Sequence, residues 1–365
     1  MDLAQIIIDR IQNEGPISFH DFMEMSLYHP DHGYYSTSGA RVGEEGDFYT
    51  SPCVSSLFGE MIARQLEEMW HWLGKQPFSI VEYGAGAGLL CRDILRVLQK
   101  NSELYAGVQY HIIEKAGAAN SYKQGPLPEK VMVHEDIAEL PSVAGCVLSN
   151  ELIDNFAVHQ VIMGDELMEV YVDYADGFSE CLRPASQPLR DYFRDLSVEL
   201  PSGFRTEINL QAIEWIRKVA GVLKRGFVLT IDYGFPSSML YDRHRSQGTL
   251  VCYHRHAINY SPYRHIGEQD ITTHVNFSAL CHWGSCYGLE LGGYTKQAFF
   301  LQGLGLAAHL REMEEKGEMR QWSDNEKLSL IRTLLTDMGN KFNVLIQYKG
   351  LRRPLLSGMR FPQPI

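Results

Sequence analysis

The segment Glu82-Tyr83-Gly84-Ala85-Gly86-Ala87-Gly88 constrains this chain more than any other. It follows a short apolar run, Phe78-Ser79-Ile80-Val81, and precedes a helical pattern from Leu90 to Gln99. It therefore reads as a turn from a buried strand into a helix. Glycines let the backbone turn sharply and approach a ligand closely, and the following helix offers free N–H groups. Dinucleotide-binding turns of this kind read G-x-G-x-x-G. Here the spacing is G-x-G-x-G, and Leu89 stands where the last of those glycines would be. A Glu at the strand end suits a cationic ligand better than a pyrophosphate, since its carboxylate can attract an amino group such as that of a methionine moiety. A turn that merely joins strand to helix would carry the same glycines.

Two further acids narrow the choice. Glu114 ends the next predicted strand, His111-Ile112-Ile113-Glu114, where a carboxylate can accept both hydroxyls of a ribose. It lies about thirty residues past the glycines, beyond the ~20 of a compact dinucleotide unit. Asp136 follows the third strand in His134-Glu135-Asp136-Ile137, placed to accept from an adenine amino group with Ile137 against the ring. Three strand ends in this order point to S-adenosylmethionine as cofactor. The expected contacts are Glu82, Gly84, Gly86, Gly88, Glu114, Asp136, Ile137 and Asn150.

Further strands are expected at 110–114, 131–134, 146–150 and 227–232, separated by helical stretches. That alternation implies crossover connections and a mainly parallel sheet. The fold class is α/β: a doubly wound, Rossmann-like methyltransferase sheet with a helical N-terminal extension and inserted substrate-cap segments. The extension and a cofactor-covering loop take residues 1–75 and the methyltransferase domain 76–365. An antiparallel meander is expected at about 157–185 and a substrate cap at about 235–285. Late strands at 289–295 and 342–347 would form a closing antiparallel pair.

The fourth strand ends Leu148-Ser149-Asn150-Glu151-Leu152-Ile153-Asp154, and the fifth ends Asp232-Tyr233-Gly234. Ligands bind at the carboxyl ends of parallel strands, so these groups face the cofactor crevice. Glu151, Asp154 and Asp232 are the candidate catalytic residues, as acids able to grip a cationic nucleophile. The competing reading is that Glu151 and Asp154 cap a short helix. Tyr253-His254-Arg255-His256 and Asp270 with His274 invite a metal reading, but their spacings fit no structural zinc pattern and no metal is expected. No G-x-S-x-G elbow supports a hydrolase.

The net charge of −12, with no Lys/Arg run, argues against a nucleic-acid binder, which needs a basic footprint. Seven cysteines without a C-x-x-C pair read as thiols in a reducing compartment. Met1 to Gly15 carries an apolar stripe, Leu3, Ile7 and Ile11, of helical spacing and reads as neither signal nor transit peptide. No apolar run approaches the ~18 residues of a membrane span. These features lead to the expectation of a cytoplasmic protein, with an oligomer compatible with the sequence.

The chain resembles the MidA-like methyltransferases, a family that includes a mitochondrial assembly factor for respiratory complex I. The signatures are Gly15-Pro16-Ile17-Ser18-Phe19, Leu27-Tyr28-His29-Pro30, Gly33-Tyr34-Tyr35, Gly46 to Pro52, Phe58-Gly59-Glu60, Asn150-Glu151 with Asp154, Ile231 to Gly234, Gly248-Thr249-Leu250 and Asp270-Ile271-Thr272 with His274-Val275. Two positions depart from the pattern: Asn276 where the family usually has Asp, and Val251-Cys252 in place of a more polar pair. The resemblance implies symmetric dimethylation of a protein arginine in a complex I subunit, and that Thr50 and Ser51 line the cofactor pocket. Alternatives are a small-molecule O- or N-methyltransferase, and a cofactor-binding assembly chaperone whose catalysis is dispensable.

Overall fold

The computed structural model describes residues 2–37, 52, 55–114, 127–255, 257–317 and 323–365. Thr50 and Ser51 lie outside them. The chain divides into two compact units, one of residues 1–48, 153–216 and 234–282, the other of 49–152, 217–233 and 283–365. The division cuts across the expected 1–75 extension: the helix Ser56–Trp72 belongs to the second unit, whereas the meander and the cap segment share the first with the N-terminal helices.

In the second unit, a mainly parallel sheet runs in the order β15-β16-β10-β5-β2-β3-β4. Its strands are β2 (Phe78–Tyr83), β3 (Val108–Ile113), β4 (Val131–His134), β5 (Val143–Asn150), β10 (Leu223–Phe235), β15 (Glu290–Lys296) and β16 (Phe342–Lys349). β2, β3, β4, β5 and β10 are parallel; β16 runs antiparallel to β10, and β15 to β16, the expected closing pair. Side chains alternate across a strand. Phe78 and Ile80 of β2, Tyr110 and Ile112 of β3, Cys146 and Leu148 of β5 and Phe227, Leu229 and Ile231 of β10 thus share one face, with Met61, Leu66 and Trp70 of the helix Ser56–Trp72 and Ile94 of the helix Leu89–Leu98 in the same core. β10 extends to Phe235, and its last two residues, which fall in the first unit, pair with β14 (Val275–Asn276).

The two sheets wholly within the first unit are antiparallel. β1 (Ile17–Ser18), β7 (Leu167–Tyr174), β6 (His159–Met163) and β9 (Arg205–Ile208) lie in that order, with β8 (Phe178–Pro184) also on β7. A separate three-stranded sheet holds β12 (Ala257–Asn259), β11 (Val251–His254) and β13 (Asp270–Thr272). The meander read from alternation is β6 to β8. Ser18 caps the helix Phe19–Tyr28, its Oγ accepting from Asp21 N at 3.1 Å, and that helix ends ahead of Pro30. Leu3, Ile7, Ile11, Phe19, Phe22 and Leu27 share a core with Val172, Cys252 and Ile271.

Candidate active site

The glycine turn leaves β2 with Gly84, Gly86 and Gly88 at φ of 64°, 54° and 72°. Side chains rarely adopt this left-handed region, so three close glycines are a backbone requirement. A Cβ added at Gly86 would meet nothing within 4 Å, whereas one at Gly84 would sit 2.9 Å from Leu152 Cδ1. Gly88 opens the helix Leu89–Leu98 with no side-chain cap. The first turn of that helix therefore keeps backbone donors for a ligand.

Two carboxylates flank this turn. Glu82 continues the core-facing row of Phe78 and Ile80, which buries it to 3% exposure, and its Oε2 accepts from Tyr110 Oη at 2.6 Å. Burial, reinforced by the charge of Glu114 and opposed by Tyr110, pushes its carboxyl up to about 7. Glu114 Oε1 accepts from Gly86 N at 3.1 Å, so the end of β3 is tied directly to the glycine turn. Its carboxyl is also pushed up to about 7 by burial, against hydrogen bonds from Gly86 and Ala85.

Asp136 is built differently. Its Oδ1 accepts from Ala138 N at 2.8 Å, its Oδ2 pairs with Lys218 Nζ at 2.6 Å, and Glu139 returns a bond to its backbone N–H. The hydrogen bond from Lys218, then that from Ala138, holds its carboxyl below the usual range. Ile137 is buried at 1% exposure. Neither Tyr110 nor Lys218 was visible as a site residue in the sequence, since each reaches its acid from a different element.

At the end of β5, Asn150 Nδ2 donates to Glu151 Oε1 at 3.1 Å. Glu151 has φ of 52°, one of six described non-glycine residues at positive φ, and its N donates to Ile231 O at 2.9 Å. Asp232, fully buried at the end of β10, accepts from Leu152 N at 3.2 Å and from Tyr233 N at 2.8 Å. It is a latch between two strand ends. These residues and the cofactor candidates fall in the second unit.

Asp154 lies in the first unit, on the 3-10 turn Ile153–Asn155, buried at 4% exposure. Each carbonyl of that turn is held from a different segment. Asn209 Nδ2 donates to Ile153 O at 3.1 Å, Thr273 N to Asp154 O at 2.9 Å, and Tyr28 Oη to Asn155 O at 3.0 Å. Tyr35 Oη donates to Asp270 Oδ1 at 2.8 Å, and burial, followed by the charges of Asp270 and others including Asp154, holds the Tyr35 hydroxyl far above its ordinary value. Sequence reasoning passed over Asn209. Its signal was an Asn just ahead of an apolar helical run, and its Oδ1 indeed caps that helix through Ala212 N at 2.8 Å.

Asn276, one of the two departures, uses its amide fully. Its Nδ2 donates to Tyr192 and Tyr241, and its Oδ1 accepts from Ser237 Oγ and Ala279 N. A carboxylate there would lose both donors. His254 stacks on His265 with ring centroids 4.2 Å apart; His256 lies outside the described residues. Among the described residues no group of three or more His, Cys, Asp or Glu is arranged to hold a metal.

A family model for S-adenosyl-L-methionine-dependent methyltransferases matches residues 61–295. A mitochondrial protein of Drosophila melanogaster, named protein arginine methyltransferase NDUFAF7 homolog, is 28% identical over 96% of this chain and 85% of its own length. The human protein arginine methyltransferase NDUFAF7, also mitochondrial, is 27% identical over 84% of this chain and 74% of its own. Among solved structures, a COG1565 superfamily member from Burkholderia thailandensis, bound to S-adenosylhomocysteine, superposes with a TM-score of 0.87 at 29% identity, over 99% of this chain and 95% of that one. The mitochondrial relatives overturn the cytoplasmic expectation: a reducing cysteine pattern and an unremarkable first helix do not distinguish one reducing compartment from another.

Proposed function

Because the chain belongs to the MidA-like family of S-adenosylmethionine-dependent methyltransferases, we propose that it methylates an arginine guanidinium on a protein substrate, a respiratory complex I subunit being the target the resemblance points to. The observation that carries the reading is Glu151, an acid held in a left-handed backbone conformation at the carboxyl end of a central parallel strand. Such strain costs of order 1–3 kcal/mol and persists where a function needs the geometry. An acid in that position suits a guanidinium and would repel a phosphate or carboxylate substrate. The names of the curated relatives, which are protein arginine methyltransferases, support the same choice.

The residues present fit the cofactor. Open space beyond Gly86 admits a ligand where a side chain would stand, and Glu82 and Glu114 offer two desolvated carboxylates whose ionisation a cation would favour. Glu114 would accept from the ribose, Asp136 and Ile137 would hold the adenine end, and Asn150 would border the methionine end, with Thr50 and Ser51 added by the resemblance. When bound, the cofactor supplies a methyl group on a sulfonium sulfur, so the protein's task is to position and desolvate.

Arginine is a poor nucleophile because its charge is delocalised over the guanidinium. Glu151 would accept N–H bonds from one edge of that group and draw its positive charge there. The opposite nitrogen then keeps more of its electron pair for the methyl carbon. On taking up the methyl group, that nitrogen would give up one proton to water, so the substrate would remain a monocation. Asp232, which accepts from the backbone N–H groups of Leu152 and Tyr233, acts on this account by fixing the strand ends. Incubating the purified chain with methyl-labelled cofactor and a mitochondrial protein fraction tests the proposal. Label recovered as methylarginine in a protein is expected; label confined to small molecules, or to other protein residues, overturns it.

A further inference from the structure

The amino ends of β2 and β10, the carboxyl end of β16 and the segment that follows it build a surface that the methyl-transfer reading does not use. Residues 349–365 read Lys-Gly-Leu-Arg-Arg-Pro-Leu-Leu-Ser-Gly-Met-Arg-Phe-Pro-Gln-Pro-Ile, with four cations and no acid, in a chain of net charge −12. Arg352 and Arg353 are exposed, Leu356 is buried in the core, and Leu355 between Pro354 and Leu356 is 82% exposed. Trp72, at the end of the helix Ser56–Trp72, is 38% exposed and its Nε1 donates to Leu355 O at 3.2 Å. Two more exposed cations adjoin: Arg225 Nη1 donates to Leu73 O at 3.4 Å, and a Cβ on Gly350 would sit 3.2 Å from Arg225 Cγ and 3.4 Å from Lys224 O. Lys75, also exposed, pairs with Glu103 at 3.4 Å. Two acids adjoin: Glu68 is engaged by Ser357 N and Oγ, and Glu290 accepts from Tyr348 Oη at 2.9 Å.

We propose that this face docks the protein on an anionic lipid surface, with Lys224, Arg225, Arg352 and Arg353 against the headgroups and Leu355 and Trp72 entering the interface below them. An acidic chain is repelled by such a surface in general, so binding must go through a locally basic patch, and this one is formed where the sheet begins. The apolar part is a projecting leucine beside an indole, flanked by arginines, which is the chemistry of interfacial anchors. The parallel strands begin here and end at the cofactor turn, so a docked molecule keeps its carboxyl edge turned away from the lipid.

Sedimentation of the full chain with vesicles tests this, comparing pure phosphatidylcholine with an equimolar mixture of phosphatidylcholine and phosphatidylglycerol. Binding to the mixed vesicles alone is expected, weakening as salt is added. The double variant Arg352→Glu/Arg353→Glu should lower partitioning about thirtyfold or more, from roughly a fivefold attraction per cation. Leu355→Asp should lower it about tenfold. Both should keep the parent's melting temperature and cofactor affinity, which shows that they fold. No binding to the mixed vesicles overturns the proposal, as does binding that the variants leave unchanged. Retention on an acidic protein in place of vesicles would also overturn it.

Discussion

The turn after β2 and the turn after β5 both present acids at the carboxyl ends of parallel strands, yet they treat those acids in opposite ways. After β2, Glu82 and Glu114 are desolvated and hold their protons to about 7, supported by a tyrosine and two backbone amides. After β5, the backbone is over-determined. Ile231 O, Asp232, Asn209, Thr273 and Tyr28 fix successive peptide groups, and Glu151 is forced to positive φ. The first turn stores unfavourable electrostatics that a cation can relieve. The second stores backbone geometry, which suits a group that must aim a carboxylate.

If that contrast is right, the largest effect belongs to the rigid turn. Glu151→Gln should cut methyl transfer by roughly a hundredfold or more, since the substrate cation would lose its charge partner. Cofactor affinity, measured by calorimetric titration, should stay near that of the parent. Transfer at the parental rate would reduce Glu151 to a helix-cap residue and break the comparison.

Next in size is Glu114→Gln, which removes a charge while keeping the shape of the link to Gly86. Affinity for the methyl donor should fall about ten- to a hundredfold, the range of charge-assisted hydrogen bonds. A variant that binds as tightly as the parent would make Glu114 a strand-end strut.

The third consequence is a pH dependence of opposite sign for stability and binding. Because both carboxyls sit at about 7, above the ordinary 4.5, ionising them in the folded protein is unfavourable. The stabilising contribution of the protonated carboxyls is present at acid pH and is lost as pH rises through about 7. Cofactor affinity should move the other way, rising roughly tenfold from about pH 6 to about pH 8 as the carboxylates form. Denaturation of the unliganded chain, followed beside titrations of the methyl donor across that window, measures both. Affinity that is flat with pH would mean that these acids are already ionised.

The smallest effect sharpens the contrast. Asn209→Ala should cost about 1 kcal/mol of stability through the lost cap, or roughly 2 °C in melting temperature for a chain this long. Asn209→Asp keeps the cap acceptor but cannot donate to Ile153 O, so it should retain the melting temperature and still lower the transfer rate several-fold. Equal transfer rates in Asn209→Asp and the parent would show that Ile153 needs no anchor.

Much of this protein is decided by local sequence. Strands β2 and β4 lie where the apolar runs placed them, because a short run bounded by turn residues has few other states. Gly84, Gly86 and Gly88 mark the turn after β2 because only glycine takes that backbone cheaply, and the carboxylates of Glu82 and Glu114 follow from strand-end position. What local sequence could not decide is which acids remain available. Glu82 is desolvated because period-two alternation carries it onto the core face beside Tyr110, twenty-eight residues away. Asp136 shares its carboxylate with Lys218, eighty-two residues away, and the turn of Asp154 is held by residues as distant as Tyr28 and Thr273. Nor could the sequence order show that 1–48, 153–216 and 234–282 gather into a unit of their own. Protonation and orientation depend on neighbours brought in by folding, and those neighbours are set by the packing of whole elements, which no stretch of the chain encodes alone.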